Sequence, residues 1–252
     1  MTTERPANPL RRAVGLGSPP WILGHRGSPA EETENTVASV QRAVTVGVDA
    51  VELDVQLTAD GELAVLHDWS LERLAASTLV AEQATWHDLA GLRVHDPRVE
   101  SPPRPIPRLA DVLTAVPRRL PLNVELKRRR ADRDRFAGTL LAALSGRERV
   151  WVSSFDWELL ALLRRRDPEI PLAPLASRRR RGFEAVAEEL GAVALHCATR
   201  VVSRALLERA QAAGRPLLVY TVNDPALARD LVARGVAGLF TDDPATLVAA
   251  LR

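Results

Sequence analysis

From Trp21 onward the chain alternates eight short apolar runs with eight amphipathic stretches of helical length, and this alternation narrows the possible folds more than any other feature. The runs are WILGH (21–25), AVELDV (50–55), LNVEL (122–126), VWVSS (150–154), IPLAPL (170–175), AVALH (192–196), PLLVYT (216–221) and GLFTD (238–242). The stretches at 34–46, 107–116, 132–144, 156–166, 181–190, 203–213, 225–234 and 244–252 carry helical spacing. Uninterrupted apolar strands joined through helices belong to a parallel sheet, because each parallel connection must cross back over the sheet. Eight such units fit an α/β fold closed as a (β/α)₈ TIM barrel better than an open doubly wound sheet. Helix signals agree: Ser203 precedes RALLERAQAAG, which ends at Gly214, and Asp224-Pro225 and Asp243-Pro244 each set a capping residue before a first-turn proline.

Residues 1–20 are expected to form an irregular arm, since Pro6, Pro9, Pro19, Pro20, Gly15 and Gly17 break any period, and residues 21–252 to form one barrel domain. One segment departs from the alternation. AVELDVQLTADGELAVLHD has two apolar-alternating arms around Asp60-Gly61, a strong hairpin signal. With Asp60 and Gly61 as a two-residue loop, Asp54 faces His67 across the hairpin, and Glu52 lies on the same face. Residues 68–106 then form an insertion longer than an ordinary βα connection, with Trp69, Trp86, His87, His95 and SPPRPIP. It either reaches over the barrel mouth and shapes substrate choice or packs on the rim.

A chain with 46% hydrophobic and 26% charged residues has the composition of a globular protein rather than a disordered one. The net charge of +2 names no partner, and the arginine runs RRRADRDR (128–135) and SRRRRGF (177–183) are expected to be solvated faces rather than nucleic-acid sites. The single cysteine, Cys197, and the lack of an apolar leader or of a run near the roughly 20 residues a membrane helix requires point to a cytoplasmic protein without stable membrane insertion. Oligomeric state is not legible.

In a barrel, chemistry gathers at the C-terminal strand ends. There stand His25 and Arg26, Glu52 and Asp54, His67, Glu125 and Lys127, Ser154 and Phe155, His196, Asn223 and Asp242. Glu52, Asp54 and Glu125 lie on otherwise apolar strands, where an uncompensated carboxylate is costly. Three carboxylates without a cysteine or histidine ligand set suit one hard divalent cation, Mg²⁺ or Ca²⁺; the bland alternative is pairing with Arg26 and Lys127. His25 and His67 are the proton carriers, because imidazole titrates near neutrality. Arg26 and Lys127 make the same rim suitable for an anionic substrate. Lys127 is the only lysine among 34 basic residues, which marks a place where a compact ammonium is preferred to a guanidinium.

HRGSPAEETENT (25–36), VELDVQLTADGELAVLHD (51–68), NVELK (123–127), SSF (153–155), YTVND (220–224) and FTDDP (240–244) together resemble the glycerophosphodiester phosphodiesterase family, in order and across nearly the whole chain from residue 21. The resemblance implies a (β/α)₈ barrel that hydrolyses glycerophosphodiesters to glycerol 3-phosphate and an alcohol with one divalent cation. It matches His25 and His67 to the catalytic pair, Glu52, Asp54 and Glu125 to the metal ligands, and Arg26 and Lys127 to the phosphate contacts. Asn35 is similar to a residue that orients the ligands, and His196 takes a supporting place. The stretch HDWSLERLAASTLVAE departs from the threonine- and arginine-rich continuation of many relatives, and Tyr220 stands where tryptophan is common. The implied chemistry has one histidine deprotonating the attacking oxygen, either the glycerol 2-hydroxyl or water, while the other protonates the leaving alkoxide. The alternatives are lysophospholipase D-type hydrolysis, which needs an apolar channel near Trp69 and Trp86, and a catalytically silent binding barrel.

Overall fold

A computed structural model of the chain describes residues 8–252. All eight apolar runs are strands: β1 (Trp21–Gly24), β2 (Ala50–Leu57), β6 (Leu122–Leu126), β7 (Val150–Ser154), β8 (Leu172–Ala176), β9 (Leu195–Ala198), β10 (Leu217–Tyr220) and β11 (Gly238–Thr241). Between the second and third of these lie β3 (Leu63–Val65), β4 (Arg93–Val94) and β5 (Arg104–Pro105). The ring β1-β2-β6-β7-β8-β9-β10-β11 is parallel throughout and closes where β1 pairs with both β11 and β2. Each predicted helical stretch holds a helix, from Val37–Val46 to Pro244–Leu251. Ser203, Asp224 and Asp243 accept hydrogen bonds from the backbone N–H groups of Leu206, Ala226 and Thr246, the capping role their positions imply.

Alternation along the strands separates two cores. Trp21, Leu23, Ala50, Trp151, Ala173, Ala194, Leu218 and Phe240 pack together inside the barrel. Their neighbours Ile22, Val51, Leu53, Val124, Val152 and Leu239 pack between sheet and helices. On β2, β6, β7 and β9 the inside positions nearer the C-terminal ends, such as Asp54, Glu125, Ser153 and His196, carry polar groups instead, and several of these build the site.

Two expectations need correction. The arm is not irregular throughout: Pro9–Val14 is a helix, with Asn8 Oδ1 accepting from the Arg11 N–H at 3.2 Å. Leu10 and Val14 are fully buried and join the inner core with Leu16. Pro9 and Gly15, which read as breakers, are the start and stop of this single amphipathic turn and a half. The part of the arm over 1–7 lies outside the described residues.

The hairpin register also differs. Leu57 pairs with Leu63, and the Thr58 N–H donates to the Glu62 carbonyl, so the loop is Ala59-Asp60-Gly61. Three-residue loops place their last residue in the left-handed region, and Gly61 has φ +97°. The extra loop residue shifts every pair by one: Asp54 faces Leu66, whose N–H donates to the Asp54 carbonyl at 3.0 Å. His67 comes to the site by another route. β3 ends at Val65, and the buried Gln56 amide donates to the carbonyls of Leu66, His67 and Asp68 at 3.1, 3.3 and 2.7 Å, pinning the chain as it leaves the strand.

Most of the insertion packs on itself. Leu71, Ala81, Ala84, Leu89, Val94 and Ile106 form a third, small core with Ala64 and Leu66. Trp86 belongs to this unit, under the Arg108 guanidinium, and not to the mouth. The segment His67–Arg73 and the pair Arg98–Val99 do reach the mouth.

Candidate active site

Seven of the nine residues to which the sequence assigns a role, His25, Arg26, Glu52, His67, Glu125, Lys127 and His196, line one cavity of about 150 Å³ at the C-terminal end of the barrel. The other two, Asp54 and Asn35, are buried beside it. Phe155, Leu175, Tyr220 and Phe240 supply its apolar wall, and Asn123 adds an amide.

A tight turn after β1 sets His25 and Arg26. Gly27 (φ +93°) sits so close to the helix Val37–Val46 that a Cβ there would lie 2.4 Å from Ser39 Oγ, so only glycine allows the approach. Arg26 itself is left-handed, at φ 58°. That conformation directs its N–H to Glu52 Oε2 at 2.9 Å and its carbonyl to the Asn35 N–H at 2.9 Å. Asn35 then clamps Asp54 twice: its amide donates to Oδ2 at 2.9 Å, and its Oδ1 accepts from the Asp54 N–H at 3.1 Å.

Glu52, Asp54 and Glu125 stand on the adjacent strands β2 and β6, in register at Asp54 and Glu125, and each offers an oxygen within 4.8 Å of the others. They are 2%, 0% and 6% exposed. Arg26 Nε lies 3.1 Å from Asp54 Oδ2, and Lys127 Nζ lies 3.1 Å from Asp54 Oδ1 and contacts Glu125 Oε1. Two cations thus face three carboxylates, and one of them, Arg26, is shared with Glu34. Glu52 Oε1 has no partner among the described residues. Burial, followed by the charges of Asp54 and Glu125, holds the Glu52 carboxyl well above the usual range. Burial would raise Asp54 too, but Lys127 and Arg26 hold it well below. A surplus of buried negative charge with an orphaned oxygen, in an all-oxygen donor set, fits one hard divalent cation.

Both histidines are oriented by carboxylates through Nδ1. His25 Nδ1 lies 2.7 Å from Asp242 Oδ1, and Asn223 Nδ2 donates to Asp242 Oδ2 at 2.9 Å while its Oδ1 accepts from the Asp242 N–H. His67 Nδ1 lies 2.7 Å from Asp68 Oδ1, and Arg73 Nε donates to Asp68 Oδ2 at 2.6 Å. Arg73 also grips Glu34 with both terminal nitrogens, at 3.0 and 2.7 Å, and Glu34 accepts from Arg26. Burial raises both aspartates, but bonds to the partners more than offset it: His25 and Asn223 for Asp242, and Arg73 and His67 for Asp68. Each histidine therefore has its proton on Nδ1 when neutral, and its Nε2 has no hydrogen-bond partner among the described residues.

Sequence reasoning assigned no role to Asp242, Asn223, Asp68, Arg73 or Glu34. Asp242 and Asn223 stand in the FTDDP and YTVND motifs, yet their pairing requires knowing that β10 and β11 are neighbours. His67, Trp69, Arg73, Lys127 and Phe155 also border an open groove of about 740 Å³ that meets the cavity at His67, Lys127 and Phe155.

A parallel barrel with two histidines and an acidic cluster at one rim has its polar groups where TIM-barrel enzymes carry their active sites. The chain belongs to the glycerophosphoryl diester phosphodiesterase family, whose profile matches residues 25–246. It is 31% identical over 231 residues to a glycerophosphodiester phosphodiesterase of Bacillus altitudinis, covering 88% of this chain and 94% of that one. An Oleispira antarctica phosphodiesterase, solved with the product sn-glycerol-3-phosphate, superposes with a TM-score of 0.84 at 25% identity, covering 92% of this chain and 96% of the other. The Thermotoga maritima glycerophosphodiester phosphodiesterase gives a TM-score of 0.74 at 28% identity, over 92% and 97% of the two chains. Among the described residues no helix is long and apolar enough to cross a membrane.

Proposed function

We propose that the chain hydrolyses glycerophosphodiesters to glycerol 3-phosphate and an alcohol by paired-histidine acid–base catalysis with one divalent cation. The observation that carries this reading is the convergence of two histidines, each with its own Nδ1 carboxylate, on one cavity beside an acidic cluster that retains an unpartnered oxygen. Glu52, Asp54 and Glu125 would hold Mg²⁺ or Ca²⁺, which supplies Lewis-acid stabilisation of phosphate charge. Arg26 and Lys127 bring fixed positive charge to the same place without reorganisation. The side chain of His25 is 12% exposed, and that of His67, beside the open groove, is 32% exposed. The groove is the side on which alcohols of varied size have room, which supports giving His67 the acid role at the leaving oxygen and His25 the base role. His25 Nε2 takes the proton of the attacking oxygen and Asp242 stabilises the resulting imidazolium; where the attacker is water, glycerol 3-phosphate forms directly, and where it is the substrate's own hydroxyl, a cyclic phosphate forms that water then opens to glycerol 3-phosphate. His67, protonated and held by Asp68, donates from Nε2 as the P–O bond breaks.

The lysophospholipid reading has less support. Trp86 is packed in the insertion core, so Trp69 and Phe155 are left as large apolar groups on an open groove rather than the walls of an acyl channel. The lone Cys197, which leaves no pair for a disulfide within the sequence, supports a cytoplasmic setting.

The test is release of glycerol 3-phosphate from glycerophosphocholine by EDTA-stripped protein, with Mg²⁺ or Ca²⁺ added back separately and His67→Ala alongside. Turnover that appears on cation addition and vanishes in the variant is expected. Hydrolysis of lysophosphatidylcholine but not glycerophosphocholine would select the second reading, and His67→Ala with native turnover would remove the histidine mechanism.

A further inference from the structure

The floor of the cavity holds a histidine that the acid–base scheme does not use. His196, on β9, is fully buried, and its Nε2 accepts from the indole N–H of Trp151 at 3.3 Å, with the two rings edge to face. An indole nitrogen can only donate, so Nε2 carries no proton and the neutral ring must carry it on Nδ1. Among the described residues no carboxylate pairs with this ring, and burial lowers its pKa to about 3, so the ring is neutral at working pH. Its Nδ1–H has no acceptor among the described residues. A buried donor left unmade costs a desolvation penalty, and here it belongs to a side chain that lines the catalytic cavity.

A second unsatisfied group stands nearby. Tyr220, on the neighbouring strand β10, pairs in register with Ala198, one inward position closer to the mouth than His196. Its ring rests edge-on against Phe155 and Phe240, and its hydroxyl is buried without a hydrogen-bond partner among the described residues.

The geometry points to a hydroxyl-reading floor, in which His196 Nδ1–H donates to, and Tyr220 Oη bonds with, hydroxyl groups of the substrate's glycerol end. This rests on the glycerophosphodiester reading and deepens it. The polyol end enters the enclosed cavity, where unpaired polar atoms reject an analogue lacking hydroxyls, while the alcohol lies outward in the groove. His196 is thereby a specificity residue rather than only a support.

Affinities of sn-glycerol 3-phosphate and 1-propyl phosphate, measured calorimetrically with a divalent cation present, test this in wild type, His196→Phe and Tyr220→Phe. Wild type should prefer glycerol 3-phosphate, and each variant should lose about three- to tenfold of that preference, the range of one hydrogen bond, with propyl phosphate affinity unchanged. Tyr220→Phe removes one oxygen and keeps the aromatic packing, so it reports even if His196→Phe fails to fold. Equal loss for both esters, or no loss for either, overturns the proposal. A ¹⁵N spectrum of the wild-type imidazoles adds a readout without a variant: a proton on Nε2 of His196, or an Nδ1 signal unmoved by glycerol 3-phosphate, also overturns it. Wild-type protein that binds neither ester overturns the underlying substrate reading as well.

Discussion

Replacing Asp242 with asparagine changes a single atom, yet it should disable His25 through the tautomer. Asn223 Nδ2 donates to Asp242 Oδ2 at 2.9 Å, and Asn223 Oδ1 is already occupied by the Asp242 N–H and the Thr241 hydroxyl. The Oδ2 position must therefore remain an acceptor. An asparagine at 242 places its carbonyl there and its NH₂ against His25 Nδ1, so Nδ1 becomes an acceptor and the proton moves to Nε2. The nitrogen that should take a proton is then already protonated. General-base catalysis is typically worth 10²–10⁴-fold, so kcat should fall by about that factor, equivalent to roughly 3–5 kcal/mol of barrier. Initial rates of glycerol 3-phosphate release give kcat, KM should change little, and thermal melting checks the fold. Adding Asn223→Ala removes the donor that dictates the orientation of the new amide, and part of kcat should return. An Asp242→Asn enzyme within about threefold of wild type would refute the tautomer argument.

Arg73→Met frees Asp68 Oδ2 and Glu34 Oε2 and leaves Glu34 Oε1 to Arg26 alone; kcat should drop about tenfold with KM nearly constant, and Arg73→Lys should recover only part because an ammonium cannot replace the planar fork. A kcat equal to wild type in Arg73→Met would detach the insertion from catalysis. Mg²⁺ or Ca²⁺ at about 100 times its Kd should stabilise the native fold by roughly 2.7 kcal/mol in a melting experiment. Glu52→Gln should lose most of that gain, and an equal shift in the variant would place the cation elsewhere. Asp68 and Asp242 are held below the ordinary aspartate range, so their stabilisation is complete above an unfolded pKa of about 3.9 and is lost as pH falls through the lower folded values. Between pH 5 and 2.5 the melting temperature of Asp242→Asn should fall less than that of wild type; parallel curves would deny the aspartate this role.

Strands and helices were legible because each follows from local spacing, and the closed ring followed from their number. What local pattern could not carry was any relation depending on one turn or on strands distant in sequence. The loop after Thr58 has three residues instead of two, which no propensity of Asp60-Gly61 decides, and that single residue moves the partner of Asp54 from His67 to Leu66. His67 nevertheless joins the cavity, because Gln56 fixes the carbonyls beyond the strand end. Site membership thus survived an incorrect register: the histidine is placed by the bend after β3, not by strand alternation. The same distinction explains the unassigned carboxylates. Asp68 lies next to its histidine in sequence, whereas Asp242 is 217 residues from His25 and reaches it only because β1 and β11 are neighbours across the barrel closure. Ring closure therefore does chemical as well as topological work, since an open sheet with the same strands would separate His25 from the carboxylate that sets its proton.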